Sequence, residues 1–206
     1  MKTLVKNIRA IDPALGLDEV CDILIDGDRI AEVGQDLSAD GAEILGRAGC
    51  IAVPGLVDIH VHLRDPGQEY KETIETGTAA AAHGGFTGIC SMPNTTPTTD
   101  NAATIDYVLD RARSAGHCRV YPSGACTMGL KGESLAEIGD MAAHGAVAFT
   151  DDGRGVQSAG MMRRVMDYAK MFNCVVMSHC QDEELVGPGQ VNEGVVSTRL
   201  GVAGWP

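Results

Sequence analysis

Pro54-Gly55-Leu56-Val57-Asp58-Ile59-His60-Val61-His62-Leu63-Arg64 is where the chain changes character. Upstream, short apolar and polar steps alternate between turn residues. From here on the pattern is strand, loop, helix, repeated. Residues 55–61 read as an apolar strand, followed by a helix over 73–83 that Gly84-Gly85 stops. The next unit predicts a strand at 87–92 and a helix at 102–115, capped by Asp100 or Asn101 and ended by Gly116. Strands at 119–125, 146–150 and 174–178 follow, the first two leading to helices at 134–144 and 159–172, the last to a polar loop. Strands alternating with helices over short connections require a parallel sheet, doubly wound or barrel-forming. Five units are fewer than a closed (β/α)₈ barrel requires, and residues 200–206 have no capping or polar-tail character. The expected fold is therefore α/β, an incomplete barrel.

Toward the N-terminus, residues 3–5, 21–25, 30–33 and 51–53 read as strands, with Asp26-Gly27-Asp28 as a hairpin signal. Residues 1–53 are expected to form a small antiparallel, β-sandwich-like domain, and 54–206 the barrel domain. The composition agrees with an α/β chain rich in short turns. Its hydrophobic residues are mostly Ala and Val, aromatics are 4%, and there are 26 glycines.

The formal net charge is -12, from 16 Lys+Arg against 28 Asp+Glu. That excludes the basic face a nucleic acid needs, but not a small anionic substrate held by one or two local cations. The seven cysteines are irregularly spaced with no CxxC, which points to reduced thiols in the cytoplasm. The first residues contain no apolar signal-peptide core, and no apolar run is long enough to span a bilayer.

The chemistry gathers at the strand ends. Side chains alternate along a strand, so His60, His62 and Arg64 are expected on one face. Two imidazoles so placed can chelate one metal ion, with an arginine beside whatever the ion holds. Thr150-Asp151-Asp152-Gly153 ends the fourth strand; the shared phase of Ala148, Thr150 and Asp152 makes Asp152 the inward carboxylate. His179 ends the fifth strand, and its neighbour Cys180 faces away. Asn94, after the second strand, offers a donor and an acceptor to a polar substrate. Taken singly, each could be an ordinary turn or core residue. His83, His117 and His144 lie at helix C-terminal ends and read as structural. Met161, Met162 and Met166 read as a core-facing helix stripe.

These segments resemble the bacterial type I dihydroorotases of the amidohydrolase superfamily. The likeness is carried by residues 54–67, Lys71-Glu72-Thr73-Ile74-Glu75-Thr76-Gly77, Met92-Pro93-Asn94-Thr95, Ala148-Phe149-Thr150-Asp151-Asp152-Gly153 and His179-Cys180-Gln181-Asp182. The resemblance implies a metal-dependent (β/α)₈ barrel in which His60 and His62 ligate zinc, Asp152 ligates or bridges one or two ions, and His179 ligates a second. It gives Arg64 and Asn94 the substrate carboxylate, with His62 lining the pocket. Related hydantoinases and allantoinases commonly carry a carboxylated lysine at the fourth strand, so an aspartate there favours dihydroorotate over their substrates. The implied reaction is reversible hydrolysis of dihydroorotate to carbamoyl aspartate in pyrimidine synthesis. The family's further metal-binding histidine and catalytic aspartate would lie beyond Pro206, so the chain is expected to be an N-terminal half with little or no activity alone. The partners implied are the small anionic substrate and either a second copy or aspartate transcarbamoylase. A non-catalytic role beside the transcarbamoylase stays open.

Overall fold

A computed structural model describes all 206 residues, which divide into two units, Met1–Gly55 and Leu56–Pro206.

The first unit is built on one long strand, β1 (Lys2–Asp12), paired antiparallel with β2 (Leu17–Asp26). β2 turns through Gly27-Asp28 into β3 (Arg29–Gly34), the two-residue hairpin its sequence signals. Two short strands, β4 (Ala42–Gly46) and β5 (Ile51–Ala52), then pair with β1 in parallel, one beyond the other along its length. The antiparallel core is thus extended by a parallel edge, and β4 has no counterpart in the sequence reading. A bulge at Asn7 is stabilised by the buried Asp22 carboxylate, which accepts from the amides of Asn7 at 3.0 Å and Leu37 at 3.1 Å.

The second unit begins with β6 (Leu56–Val61) and α1 (Ile74–His83), then β7 (Phe86–Ser91) and α2 (Ala102–Ala115). β8 (Arg119–Gly124), α3 (Ile138–Ala143), β9 (Ala148–Phe149), α4 (Ala159–Lys170) and β10 (Val175–Val176) follow. The five strands form one parallel sheet in the order β10-β9-β8-β7-β6. Local chemistry sets the helix boundaries. Thr73 caps α1 in a capping box with Thr76, Asn101 caps α2 by accepting from the Thr104 amide, and Ser158 caps α4. Leu63, Ile74, Ile89, Val108 and Val120 form one apolar cluster. Ile105, Ile138, Met141, Phe149 and Val165 anchor a second. Met161 joins that cluster, whereas Met166 is exposed, so the methionine stripe is only partly core.

Three expectations are corrected. α3 starts at Ile138 rather than 134, because the preceding segment is held elsewhere: Met128 N donates to Ser134 O and Ala136 N to Cys126 O. β9 and β10 are two residues each; beyond them the pairing lasts only one more bond, Thr150 N to Gly124 O and Met177 N to Phe149 O. Finally, the segment expected as a loop forms α5 (Glu183–Val186), β11 (Val191–Asn192), α6 (Val195–Leu200) and β12 (Gly204–Trp205), with β11 and β12 paired in parallel. All seven cysteines are free. No helix is long and apolar enough to cross a membrane.

Two contacts hold the loops that leave the strand ends. Gly67, at φ 91°, lies so close to the loop after β7 that a Cβ would sit 1.8 Å from the Thr96 carbonyl oxygen. Asp151, 2% exposed, accepts from the amides of Cys126 at 2.8 Å and Thr127 at 3.0 Å, and from the Thr127 hydroxyl. Burial pushes the Asp151 carboxyl up from its ordinary pKa, and these three donors oppose the shift.

Gly67→Ala is expected to cost about 2 kcal/mol or more, through left-handed strain and the clash together, lowering the urea midpoint by about 1 M. Asp151→Ala leaves two buried amides without an acceptor, at about 1–3 kcal/mol each, and should lower the midpoint at least as far. An unchanged midpoint in either variant would contradict these roles.

Candidate metal centre

β6 carries His60 on its penultimate residue, and His62 follows one residue past its end. The alternation of an extended chain keeps both imidazoles on one side, with ring centroids 5.2 Å apart and planes crossing at 71°. His60 Nε2 lies 3.3 Å from Asp152 Oδ1, and His62 Nε2 lies 3.4 Å from Asp152 Oδ2. Ligand atoms of His60, His62 and Asp152 all fall within 4.8 Å of one another. His179 Nδ1 is 3.3 Å from Asp152 Oδ1, while its Nε2 is 3.3 Å from Gln181 Oε1. His179 therefore touches the same carboxylate but stands outside the three-residue group.

The burial is uneven. The Asp152 side chain is 5% exposed, whereas that of His60 is 50% exposed. One carboxylate so faces three imidazole nitrogens. A neutral imidazole carries a lone pair on one nitrogen, and a lone pair turned toward a carboxylate repels it unless a cation or proton lies between. Two imidazoles and a carboxylate are also a donor set suited to a borderline divalent ion. On both counts the group could hold a metal ion. The His62 pKa is lowered, mainly by burial, with the Arg64 charge adding to the shift while the Asn94 bond and Asp152 oppose it.

Asn94 sits between two of these residues. Its Nδ2 donates to Asp152 Oδ2 at 3.0 Å, and its Oδ1 lies 3.0 Å from His62 Nδ1. Its loop is fixed by neighbours: Met92 N donates to Val61 O, Thr96 N to Pro66 O and Gln68 Nε2 to Asn94 O.

Strand phase does not explain Arg64. β6 stops at Val61, and Arg64 adopts φ 60°. The turn arises because Leu63 is buried in the core while Asp65 is tied to the helices, accepting from Tyr107 Oη at 2.8 Å and Ile74 N at 3.4 Å. Arg64 still lies close enough for its charge to act on His62. Asp152 likewise lies beyond its two-residue strand, and its direction is set by Asp151, which is pinned the other way. Gly155, at φ 68°, lets this loop approach the last strand end; a Cβ there would meet the His179 carbonyl oxygen at 2.5 Å.

Two roles escaped the sequence reading, the Gln181 contact to His179 and the double contact of Asn94. Spacing two residues after His179 hints at the first. The second joins loops far apart in the chain and has no local signal. Cys180 is exposed and outside the group, and His144 pairs with Asp106 at 3.0 Å on the surface.

Comparison with known proteins accords with this arrangement. The chain is 56% identical over its whole length to a dihydroorotase of Syntrophotalea carbinolica, covering 48% of it. It is 52% identical to one of Geobacter sulfurreducens, covering 49%. The chain thus spans about half the length of the curated relatives it matches. Among solved structures, an L-hydantoinase (dihydropyrimidinase) from Arthrobacter aurescens superposes with a TM-score of 0.77 at 26% identity, over 89% of this chain and 42% of that one. Residues 49–206 match the family model described as dihydro-orotase-like, and the chain belongs to that family.

Proposed function

We propose that this chain is the N-terminal part of a cytoplasmic, zinc-dependent dihydroorotase that interconverts (S)-dihydroorotate and N-carbamoyl-L-aspartate in pyrimidine synthesis. The observation carrying this reading is the convergence of His60, His62 and Asp152 in a chain of this family. In it, residues 1–53 are a small β domain, and 54–206 supply the first five βα units of a (β/α)₈ barrel. The parallel order β10-β9-β8-β7-β6 supports the barrel, whose strand C-terminal ends carry the chemistry.

His60, His62 and Asp152 would hold one zinc ion, and His179 with Asp152 a second. Zinc held there would supply Lewis-acid polarisation of the scissile amide carbonyl and would lower the pKa of water enough for it to react at neutral pH. Asp152 contributes the negative charge that neutral imidazoles cannot, from a buried position that strengthens its field. Arg64 binds the ring carboxylate of the substrate through a charge-assisted hydrogen bond. Asn94 has a second amide hydrogen to offer the same group, and His62 lines that side of the pocket. Delivery of a proton to the departing ring nitrogen is assigned to an aspartate C-terminal to residue 206. A second copy or aspartate transcarbamoylase is the expected protein partner, and the acidic net charge supports no nucleic-acid role. Likeness to the Arthrobacter L-hydantoinase keeps a second reading in play, a cyclic amidase of the hydantoinase or allantoinase type.

Joined in frame to the second half of the S. carbinolica relative, the chain is expected to turn over dihydroorotate but neither hydantoin nor allantoin. Asp152→Ala should lower kcat by more than about 100-fold, beyond the loss expected from an outer-shell partner. Turnover of hydantoin instead of dihydroorotate would transfer the assignment to the second reading. The 206-residue chain alone is expected at background rate, which zinc-dependent turnover by it would refute.

Because its pKa is lowered, His62 stays neutral and able to ligate at pH values below the ordinary imidazole pKa of about 6.5. Calorimetric zinc affinity should be level above about pH 7 and fall on acidification, as protons compete for the ligands. An affinity that rises on acidification would contradict the ligand assignment.

A further inference from the structure

Arg64 and Asp65 are adjacent and of opposite charge, yet Asp65 pairs elsewhere. Its side chain is 1% exposed, and its Oδ2 lies 3.8 Å from Arg111 Nε. It also accepts from Tyr107 Oη at 2.8 Å and from Ile74 N at 3.4 Å. Tyr107 and Arg111 stand four residues apart on α2, so both reach the same side of the helix. The Arg111 Nε is buried without a hydrogen bond and acts on Asp65 through charge alone. Burial and the Asp65 bond raise the Tyr107 pKa, so its hydroxyl remains a donor at neutral pH.

We propose that Tyr107 and Arg111 are positioning residues for Arg64: by holding Asp65 against α2 they fix the turn at Arg64 and keep its guanidinium unpaired, open to a substrate carboxylate. That use of Arg64 rests on the dihydroorotase reading above. The backbone supplies the first support. Arg64 has φ 60°, a conformation that residues other than glycine seldom adopt and that persists only where the surroundings over-determine it. Here Leu63 is buried on one side, Asp65 is held on the other, and the Arg64 carbonyl accepts from Gln68 N at 2.9 Å. Charge supplies the second. A buried ion pair stabilises a fold no better than apolar packing of the same volume, so stability alone does not account for a carboxylate at position 65. What the pair does secure is direction. Released from α2, the Asp65 carboxylate would be free to neutralise the arginine beside it.

A double-mutant cycle tests this in the full-length protein made by joining the chain to the second half of the S. carbinolica relative. Arg64→Ala is expected to raise KM for dihydroorotate about 100-fold, as loss of a charge-assisted bond would. Tyr107→Phe, which removes one hydroxyl, should raise KM about 10-fold and leave kcat within about twofold. Placed on top of Arg64→Ala, Tyr107→Phe should change KM no further, because its effect runs through the arginine. Altered packing alone would act equally in both backgrounds. Equal KM changes in the two backgrounds, a fall in kcat at constant KM, or an unchanged KM in Tyr107→Phe would overturn the inference. In each of these cases a raised KM in Arg64→Ala leaves the dihydroorotase reading standing. An unchanged KM in Arg64→Ala would instead remove the carboxylate anchor, and the inference with it. Should Tyr107→Phe fail to fold, Arg111→Met, which removes the charge and keeps the stem, is judged by the same KM criteria.

Discussion

A buried carboxylate with three donors, Asp151, fixes where the fourth strand ends, and the centre depends on it. Burying a carboxylate is unfavourable unless its oxygens are satisfied, and here the amides of Cys126 and Thr127 satisfy one oxygen and the Thr127 hydroxyl the other. The cost of breaking that arrangement commits Asp151 to one direction. Its neighbour Asp152 is thereby turned the other way, toward His60, His62 and His179. Two adjacent residues of identical chemistry thus take opposite tasks, one holding loops together and the other concentrating negative charge among imidazoles.

The sheet supplies the distances. Parallel pairing of β6 through β10 brings the ends of successive strands alongside each other. Short loops then carry groups from the first, second, fourth and fifth strands into contact. The Gly67–Thr96 approach and the Gly155–His179 approach show how tightly those loops pack, since neither site has room for a Cβ. Few of these contacts are strong individually. Their effect comes from limiting the directions in which each ligand can point.

Much of this was legible in the sequence where the signals are local. The helix starts at Thr73, Asn101 and Ser158 carry capping side chains, and the predicted α2 matches residues 102–115. His60 and His62 were readable because strand alternation acts over two residues. Where tertiary contacts decide, the sequence was silent or misleading. Strand phase could not place Arg64, because burial of Leu63 and capture of Asp65 turn the chain first. β4 pairs with a strand some forty residues away, which local propensity cannot reveal. Asn94 was readable as a polar group offered to a substrate, but its contacts to His62 and Asp152 depend on three loops meeting.

β6 is the last strand of its sheet, hydrogen-bonded to β7 alone. Within these 206 residues, about half the length of the relatives, one of its backbone edges has no partner, and Val57 and Ile59 on it are largely exposed. The two histidines inherit unequal freedom from this. His62 is clamped by Asn94, while His60 rides on the less restrained strand with half its side chain in solvent. The centre thus combines a rigid jaw, Asp152 with His62, and a compliant one. Arrival of an ion would place most of the ordering entropy on His60, at about 0.5–1.5 kcal/mol for a side chain immobilised on binding. In the barrel proposed above, the later strands that pair with this edge would bear part of that cost beforehand, so barrel closure and ion binding at the centre become thermodynamically linked.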